Sequence, residues 1–404
     1  MSIATGVAKQ LRMKVESAWG VAPGASGAQL LRRVASNLSL RKETFQSAEK
    51  VTHYQRVDFR HGVRSVGGAI TGEISPGTYE DFIAACVRKV FVAVSAITGA
   101  SITITGAGPT YTISRAAGSW LTDGVKAGQV GRLTAGSFNA ANLNKNLFVL
   151  AAVAADLTVM PLNGVALFAE GPIAASTWTI PGKETYVPTS GHTDSSFAIE
   201  HWHADVSLSE LFLGCKPSSM AIGMPPSGMS TIGFDFMGKD VTTAGAAYYT
   251  TPTAETESGV LAAVNGLLVA QGGQVALLTG LNFGLAGGHA YAGPVVGSNT
   301  HPDIGEGRVV VEGSFTALFQ DATLRDYFLN ETEVSLLVAL STSPAAAAEF
   351  MSFSLPRIKI GSADKDDPDQ AITQTHSFAA LLNTTGGAGT SSHETTLAVQ
   401  DSLA

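Results

Sequence analysis

Four groups of residues have the types and spacing that chemistry would need. His201 and His203 flank Trp202, with Asp205 two positions on, an imidazole and carboxylate set of the kind that binds zinc. On an extended strand residues 201 and 203 lie on one face, but a closed site needs four ligands and the remaining ones are not evident. Gly238-Lys239-Asp240 lacks the glycine-rich loop before it and the helix after it that cradle a phosphate. It reads as a strand end and turn. Asp364, Lys365, Asp366, Asp367 and Asp369 form a dense charged loop without the turn glycine and closing glutamate of a calcium loop. That loop reads as a solvated turn, or as a negative rim at a subunit boundary or facing a channel, where it would repel phosphates. Met220, Met224 and Met229 surround Pro225 and Pro226 and read as adaptable core filling or as a contact between subunits. No nucleophile elbow accompanies the serines, histidines and aspartates, so no catalytic residue, metal site or cofactor is expected.

The elements that would position these groups are strands. Charged residues make up 14% of the 404 residues against about a quarter in a common soluble domain, and glycine is abundant. A surface so poor in charge points to one that copies of the chain cover. The net charge of -8 argues against an electrostatic grip on nucleic acid, although a smooth acidic passage for it remains compatible. Cys86 and Cys215 offer no disulfide framework, and no apolar run of signal-peptide length opens the chain. Folding in a cytoplasm with reduced thiols is expected. The uncharged stretch 258–283 is interrupted by Asn265-Gly266 and Gly272-Gly273, which are hairpin signals.

The chain also aligns with itself, without a gap, at an offset of 245 residues, from Gly27–Phe82 to Gly272–Tyr327. Asn37/Asn282, Asp58/Asp303, Gly68/Gly313, Thr71/Thr316 and Asp81/Asp326 coincide, and apolar positions such as Ile70/Phe315 and Phe82/Tyr327 keep their character. Repetition in register marks a duplicated folding unit. Each unit is expected to hold strands at Leu30–Leu40 and Val63–Ile74 or their equivalents, a long polar connection at 41–61 or 286–306, and a short helix such as Tyr79–Val87. Both units close with hairpins, Met220–Met224 with Thr231–Met237 and Phe353–Ile360 with Thr373–Ala379. The second proceeds from its helix straight to Val334–Leu340, whereas the first reaches its equivalent, Ser196–His201, after an insertion dense in short strands. The expected plan is an extended arm at 1–26 and a first domain at 27–90 and 191–245. A small inserted β domain at 91–190 projects from the body, and the second domain with the C-terminal segment occupies 246–404.

Three stretches carry a family resemblance. Phe59-Arg60-His61-Gly62-Val63-Arg64-Ser65-Val66 through Ser75-Pro76-Gly77-Thr78, Pro225-Pro226-Ser227-Gly228-Met229 through Phe236-Met237-Gly238-Lys239-Asp240, and Leu324-Arg325-Asp326-Tyr327-Phe328 through Glu333 resemble tail tube proteins of long-tailed, non-contractile bacteriophages. The resemblance implies a mainly β chain with two tandem tail-tube β-sandwich domains, each with a short flanking helix, plus the inserted β domain. It implies a virion protein that polymerises into stacked rings around a lumen, with the tail terminator, tape measure and tail tip proteins as further partners and genomic DNA passing without sequence-specific binding. Two tube domains per chain then imply three chains per pseudo-sixfold ring, with the insert outside in threefold fashion, as mechanical bulk or for weak attachment to cell-surface sugars. Arg41, Lys42, Glu43, Glu49 and Lys50 are the candidate ring-to-ring contacts, and Asp364, Asp366, Asp367 and Asp369 the candidate lumen or rim loop. The competing reading is a β-rich cell-surface adhesin or carbohydrate-binding protein.

Overall fold

The computed structural model describes residues 3–270, 273–274, 278–366, 369 and 371–404. Asp367 and Gly272 lie outside these described residues.

The chain begins with β1 (Lys9–Val15), β2 (Ser26–Leu30), β3 (Ala35–Ser36), β4 (Ser39–Gln46), β5 (Phe59–Glu73) and α1 (Glu80–Val87). The insertion follows as β6 (Ile97–Thr105), β7 (Tyr111–Arg115), β8 (Val130–Ala135), β9 (Leu147–Ala152), β10 (Asp156–Pro161) and β11 (Glu170–Thr179). After β12 (Lys183–Tyr186), which pairs into the second unit, the first unit is completed by β13 (Phe197–His203), β14 (Leu208–Met224), β15 (Thr231–Gly238), β16 (Asp240–Ala244) and β17 (Thr251–Thr253). The second unit opens with β18 (Gly266–Ala270), β19 (Gly273–Gln274), β20 (Leu278–Ala286), β21 (Ala290–Tyr291), β22 (Ile304–Gly305) and β23 (Val310–Leu318). It continues with α2 (Thr323–Leu329), β24 (Val334–Ser341), β25 (Phe350–Ile360), β26 (Asp364–Lys365), β27 (Thr373–Ala380) and β28 (Ala398–Asp401).

Each unit is a sandwich whose outer sheet is built from its flanking strands. In the first, β2 pairs with β1, β1 with β13, and β13 with the start of β14, which also carries β16. In the second, β18 pairs with β24, β24 with β25, β25 with β28, and β28 with β12. Strand β14 crosses from the outer sheet to the inner one, with an irregularity between Pro217 and Ser219 where it bends. Such a bulge lets one strand turn the corner between two packed sheets.

Alternation along the strands fills the space between the layers. Ile232, Phe234 and Phe236 of β15 point inward with Met220 and Ile222 of β14 and Phe197 and Ile199 of β13. Helix α1 closes one end of this core. Glu80 and Asp81 in its first turn suit the positive end of the helix dipole, and its fully buried Phe82 meets Phe197, Phe234 and Phe236 edge-on at 4.9–5.4 Å. Thr78 does not cap this helix. Tyr79 occupies the cap without a side-chain bond, and the Thr78 hydroxyl lies 2.7 Å from that of Ser75.

Other expectations change in detail. Residues 9–15 are not part of an arm: Leu11 and Met13 are buried and the strand is held by β13 along its length. The strand expected at Leu30–Leu40 is broken, β2 belonging to the outer sheet while β3 and β4 pair with β5. The connection expected at 41–61 is shorter, because β4 runs to Gln46 and β5 starts at Phe59. The insertion is a closed barrel in the order β10-β7-β6-β11-β8-β9, cored by Trp120 and Trp178 with ring centroids 5.8 Å apart. It does not stand free of the body. Its Val130, Phe148, Leu150 and Met160 share a buried cluster with Leu267, Val269, Leu337, Ala339 and Phe350 of the second unit's outer sheet.

Candidate functional site

The inner strands of both units form one unbroken antiparallel run. Strands β3 and β4 pair with β5, β5 with β15, and β15 with the second half of β14; then β20, β23 and β27 follow, and the end of β25 with β26 completes the run. The joint between the units is the β14–β20 ladder, in which Ser219 faces Ala286, Ala221 faces Gly284 and Met224 faces Leu281. Each unit thus offers its first strand on one side and its last-but-one strand on the other, so the units stand head to tail.

The two faces of this sheet differ sharply in chemistry. One packs on the core. The other carries Gly67, Ala69 and Thr71, then Ser219, Ala221 and Gly223, then Asn282, Gly284, Ser314 and Thr316, the residues opposite in phase to the buried ones. It is hollowed over Thr71, Gly223, Gly233, Asn282 and Glu312. Its acidic groups include Glu73, Asp235 and Glu312, of which Asp235 accepts a hydrogen bond from the Ser219 hydroxyl at 2.7 Å. These three carboxylates escaped the sequence reading, although the strict alternation of Thr231–Gly238 carried the signal for Asp235.

The sequence candidates fall at the margins of this face. Arg41 lies against Gly67 and lines a second hollow with Asn37, Asp235 and Met237. Arg41, Lys42 and Glu43 are exposed on β4, whose side away from β5 is unpaired among the described residues, while Glu49 and Lys50 are exposed near the tip of the β4–β5 hairpin. Asp364 and Asp366 are exposed at the opposite end of the run, where β26 pairs, among the described residues, only with β27. Asp366 accepts bonds from the backbone and hydroxyl of Thr373 at 2.6 and 2.8 Å, which hold its carboxyl below the usual range. Asp369 is exposed beyond it. The structure therefore does not gather these two groups; it sets them on the two open edges of one sheet.

The joint between the units has its own polar fastening. Lys216 is buried and reaches Asp194 at 2.7 Å, the Ile304 carbonyl at 3.2 Å and Asp303 at 3.5 Å. Arg88, the left-handed residue that ends α1, donates to the carbonyls of Gly287 and Gly307 and pairs with Glu306 at 3.1 Å. The loop between β20 and β23 is thereby pinned to the first unit, and the Tyr291 hydroxyl donates to the Val66 carbonyl at 2.8 Å.

The remaining titratable clusters are structural in their bonding. Glu200 is fully buried and accepts from Ser209 and from the Tyr248 and Tyr249 amides, with Arg12 at 3.5 Å. His201, His203 and Glu210 gather their ligand atoms within 4.8 Å, adding a third group that the sequence reading lacked. Burial and the charges of Lys9, His203 and Arg33 push the His201 pKa down to about 3. That cationic surrounding opposes a metal ion, and the His201 ring is already 2.8 Å from the Ser36 hydroxyl. Cys86 and Cys215 are buried, and burial pushes both thiols up. No helix among the described residues is long and apolar enough to cross a membrane.

Compared with known proteins, residues 6–380 match the family model described as phage tail tube protein. No curated protein matches the chain.

Proposed function

Because the chain belongs to the phage tail tube protein family, we propose that it closes through its two open sheet edges into a ring of three chains, and that stacked rings form the conduit for genomic DNA. As a family member it is a structural protein of the virion tail. The observation that carries the ring reading is the head-to-tail joint already present within one chain. Two equivalent units joined by unlike edges leave one edge of each kind unfilled, and an interface of this heterologous type closes into a ring when its rotation closes. Closure also removes the open edges, which are a liability in an isolated chain.

The hollowed face turns inward in this reading. Its glycine, alanine, serine and threonine give a smooth wall, and Glu73, Asp235 and Glu312 repel phosphates rather than hold them. The β4–β5 hairpin tip, with Glu49 and Lys50, supports ring-to-ring contact because it extends beyond the sheet. The barrel lies on the outer sheet of the second unit, on the side away from the hollowed face, and marks the ring exterior three times. The tail terminator, tape measure and tip proteins are the further partners, and assembly takes place in the host cytoplasm.

Negative-stain microscopy of the purified chain tests this. Tubes of constant bore whose end-on averages show three external lobes are expected; dispersed monomers at high concentration, or six lobes per ring, would overturn the trimer.

A further inference from the structure

The internal joint gives a template for the joint between chains. Both units repeat the same ladder: the 245-residue offset makes Glu73 and Leu318 equivalent, and Thr231 faces the first as Thr373 faces the second. One strand further, Lys216 opposite Met237 corresponds to Lys359 opposite Ala379, and Ala221 opposite Gly233 corresponds to Asp364 opposite Thr375. The partners across the internal joint have counterparts too, Gly284 in Ser39 and Asp303 in Asp58.

Resting on the ring reading, we propose that the seam between chains repeats the β14–β20 register, with Asp364 of one chain opposite Ser39 of the next and Lys359 paired with the next chain's Asp58. Three observations support it. The lysine–aspartate pair that fastens the internal joint is present in duplicate, and its second copy is split between the two open edges. In the internal joint the Lys216 side chain is 3% exposed, whereas Lys359 is 40% exposed beside an 82% exposed Glu331 at 3.4 Å. Asp58 pairs with the exposed Arg60 at 2.7 Å and accepts from the Phe59 backbone N–H at 2.8 Å. Both groups thus hold solvent-facing contacts that a stronger partner displaces at little cost.

Both edges carry charges of both signs, Asp364, Lys365 and Asp366 on one and Arg41, Lys42 and Glu43 on the other. Pairing two like edges would lose the Lys359–Asp58 pair, so that pair favours the head-to-tail order. The charge beside each helix end is inverted. Arg88, the left-handed cap of α1, grips the second unit's loop at Gly287 and Gly307, whereas α2 is capped by Asn330 and followed by the left-handed Glu331, with φ 50°. The loop it would meet on the next chain holds Lys42 where the internal joint has Gly287.

Charge reversal and cross-linking test this seam. Lys359→Asp and Asp58→Lys are each expected to cut sedimentable tubes by at least about tenfold, and the double variant to restore them. Circular dichroism and thermal melts of the exposed-site variants confirm that the monomer still folds. Separately, Ser39→Cys with Asp364→Cys is expected to oxidise into a covalent ladder that stops at three chains. Wild-type rings together with unimpaired single variants and no cross-linked chains would overturn the seam while leaving the ring reading intact. Failure of the wild type to form rings would instead overturn the reading on which the seam rests.

Discussion

In the first unit, β14 is covered from Ser219 to Met224 by β20, and α1 buries Phe82, Ile83, Cys86 and Val87. In the second unit the matching edge, Asp364–Lys365, has no strand beyond it among the described residues. Its helix α2 leaves Leu324, Tyr327 and Phe328 only partly buried and Leu329 64% exposed. The same folding unit is therefore finished when another copy follows it and unfinished when none does. The difference supports the proposal that each unit is completed by the next. What the second unit has instead is the inserted barrel, which seals its outer sheet but not its inner edge.

The largest way to break this comparison is to remove the seal. Deleting residues 97–179 with a short linker would expose Leu267, Val269, Leu337 and Phe350. At about 1.5–3 kcal/mol for each large side chain returned to water, the loss rivals the net stability of a common domain of about 5–15 kcal/mol. Insoluble or unfolded product is the expected outcome in an expression and solubility assay, and a soluble variant that assembles would show the barrel to be separable.

Next are the two helices. Phe82→Ala empties the centre of a ring of aromatic contacts and is expected to cost about 3–5 kcal/mol. The equivalent Tyr327→Ala should cost the isolated chain about 1–2 kcal/mol, because its site is half open. Chemical denaturation of the unassembled chain measures both; equal costs would mean that α2 is as well finished as α1.

A smaller contrast separates the two lysines. Lys216→Ala removes charge-assisted bonds at the buried joint and is expected to cost about 1–2 kcal/mol, at the lower end because its carboxylate partners are half exposed. Lys359→Ala should change monomer stability by less than about 0.5 kcal/mol. On the proposed seam, its effect falls on assembly.

The smallest effect is a pH dependence at α1. Burial, with Asp401 and Asp81 nearby, pushes the Glu80 carboxyl up to about 7, and burial pushes Asp401 to about 6. Acids raised in the folded state stabilise it at low pH, and that contribution disappears as pH rises from the ordinary carboxylate value through the folded one. Neutral, buried His201 acts oppositely below its ordinary value of 6.5, so the wild-type curve mixes the two. The difference isolates Glu80: Glu80→Gln should gain in melting temperature relative to wild type between pH 5 and pH 8 on the order of a few degrees. In the second unit Arg325 stands at the equivalent position, and no comparable effect is expected there.

Much of this plan was legible in the sequence where physics forces a residue type. The duplication showed through positions such as Gly68 and Gly313, where the inner ladder leaves no room for a side chain beside Asn37 or Asn282. The short helices and the first closing hairpin followed from turn residues and alternation, whereas of the second only Ile358–Ile360 pair with β27, Phe353–Leu355 lying in the outer sheet. Strand β14 was seen only in its second half, because Pro217 reads as a strand breaker and here sits at the bulge between sheets. The equivalence of Lys216 and Lys359 was hidden because the barrel lies before one and not the other, which destroys the constant offset; ladder register restores it. Arg41 and Asp364 were noticed as charges, but only pairing shows that they occupy opposite edges of one sheet. Asp367 belongs to the same acidic loop and lies outside the described residues.

The central claim is that one chain contains the joint it uses with its neighbours. A tube reconstruction at a resolution that separates strands tests it most directly. The account expects three chains per ring, with the Asp364–Lys365 edge hydrogen-bonded antiparallel to the Ser39 edge of the next chain in the register of Ala221 with Gly284. Rings of six chains, or rings in which these edges remain unpaired, would contradict it.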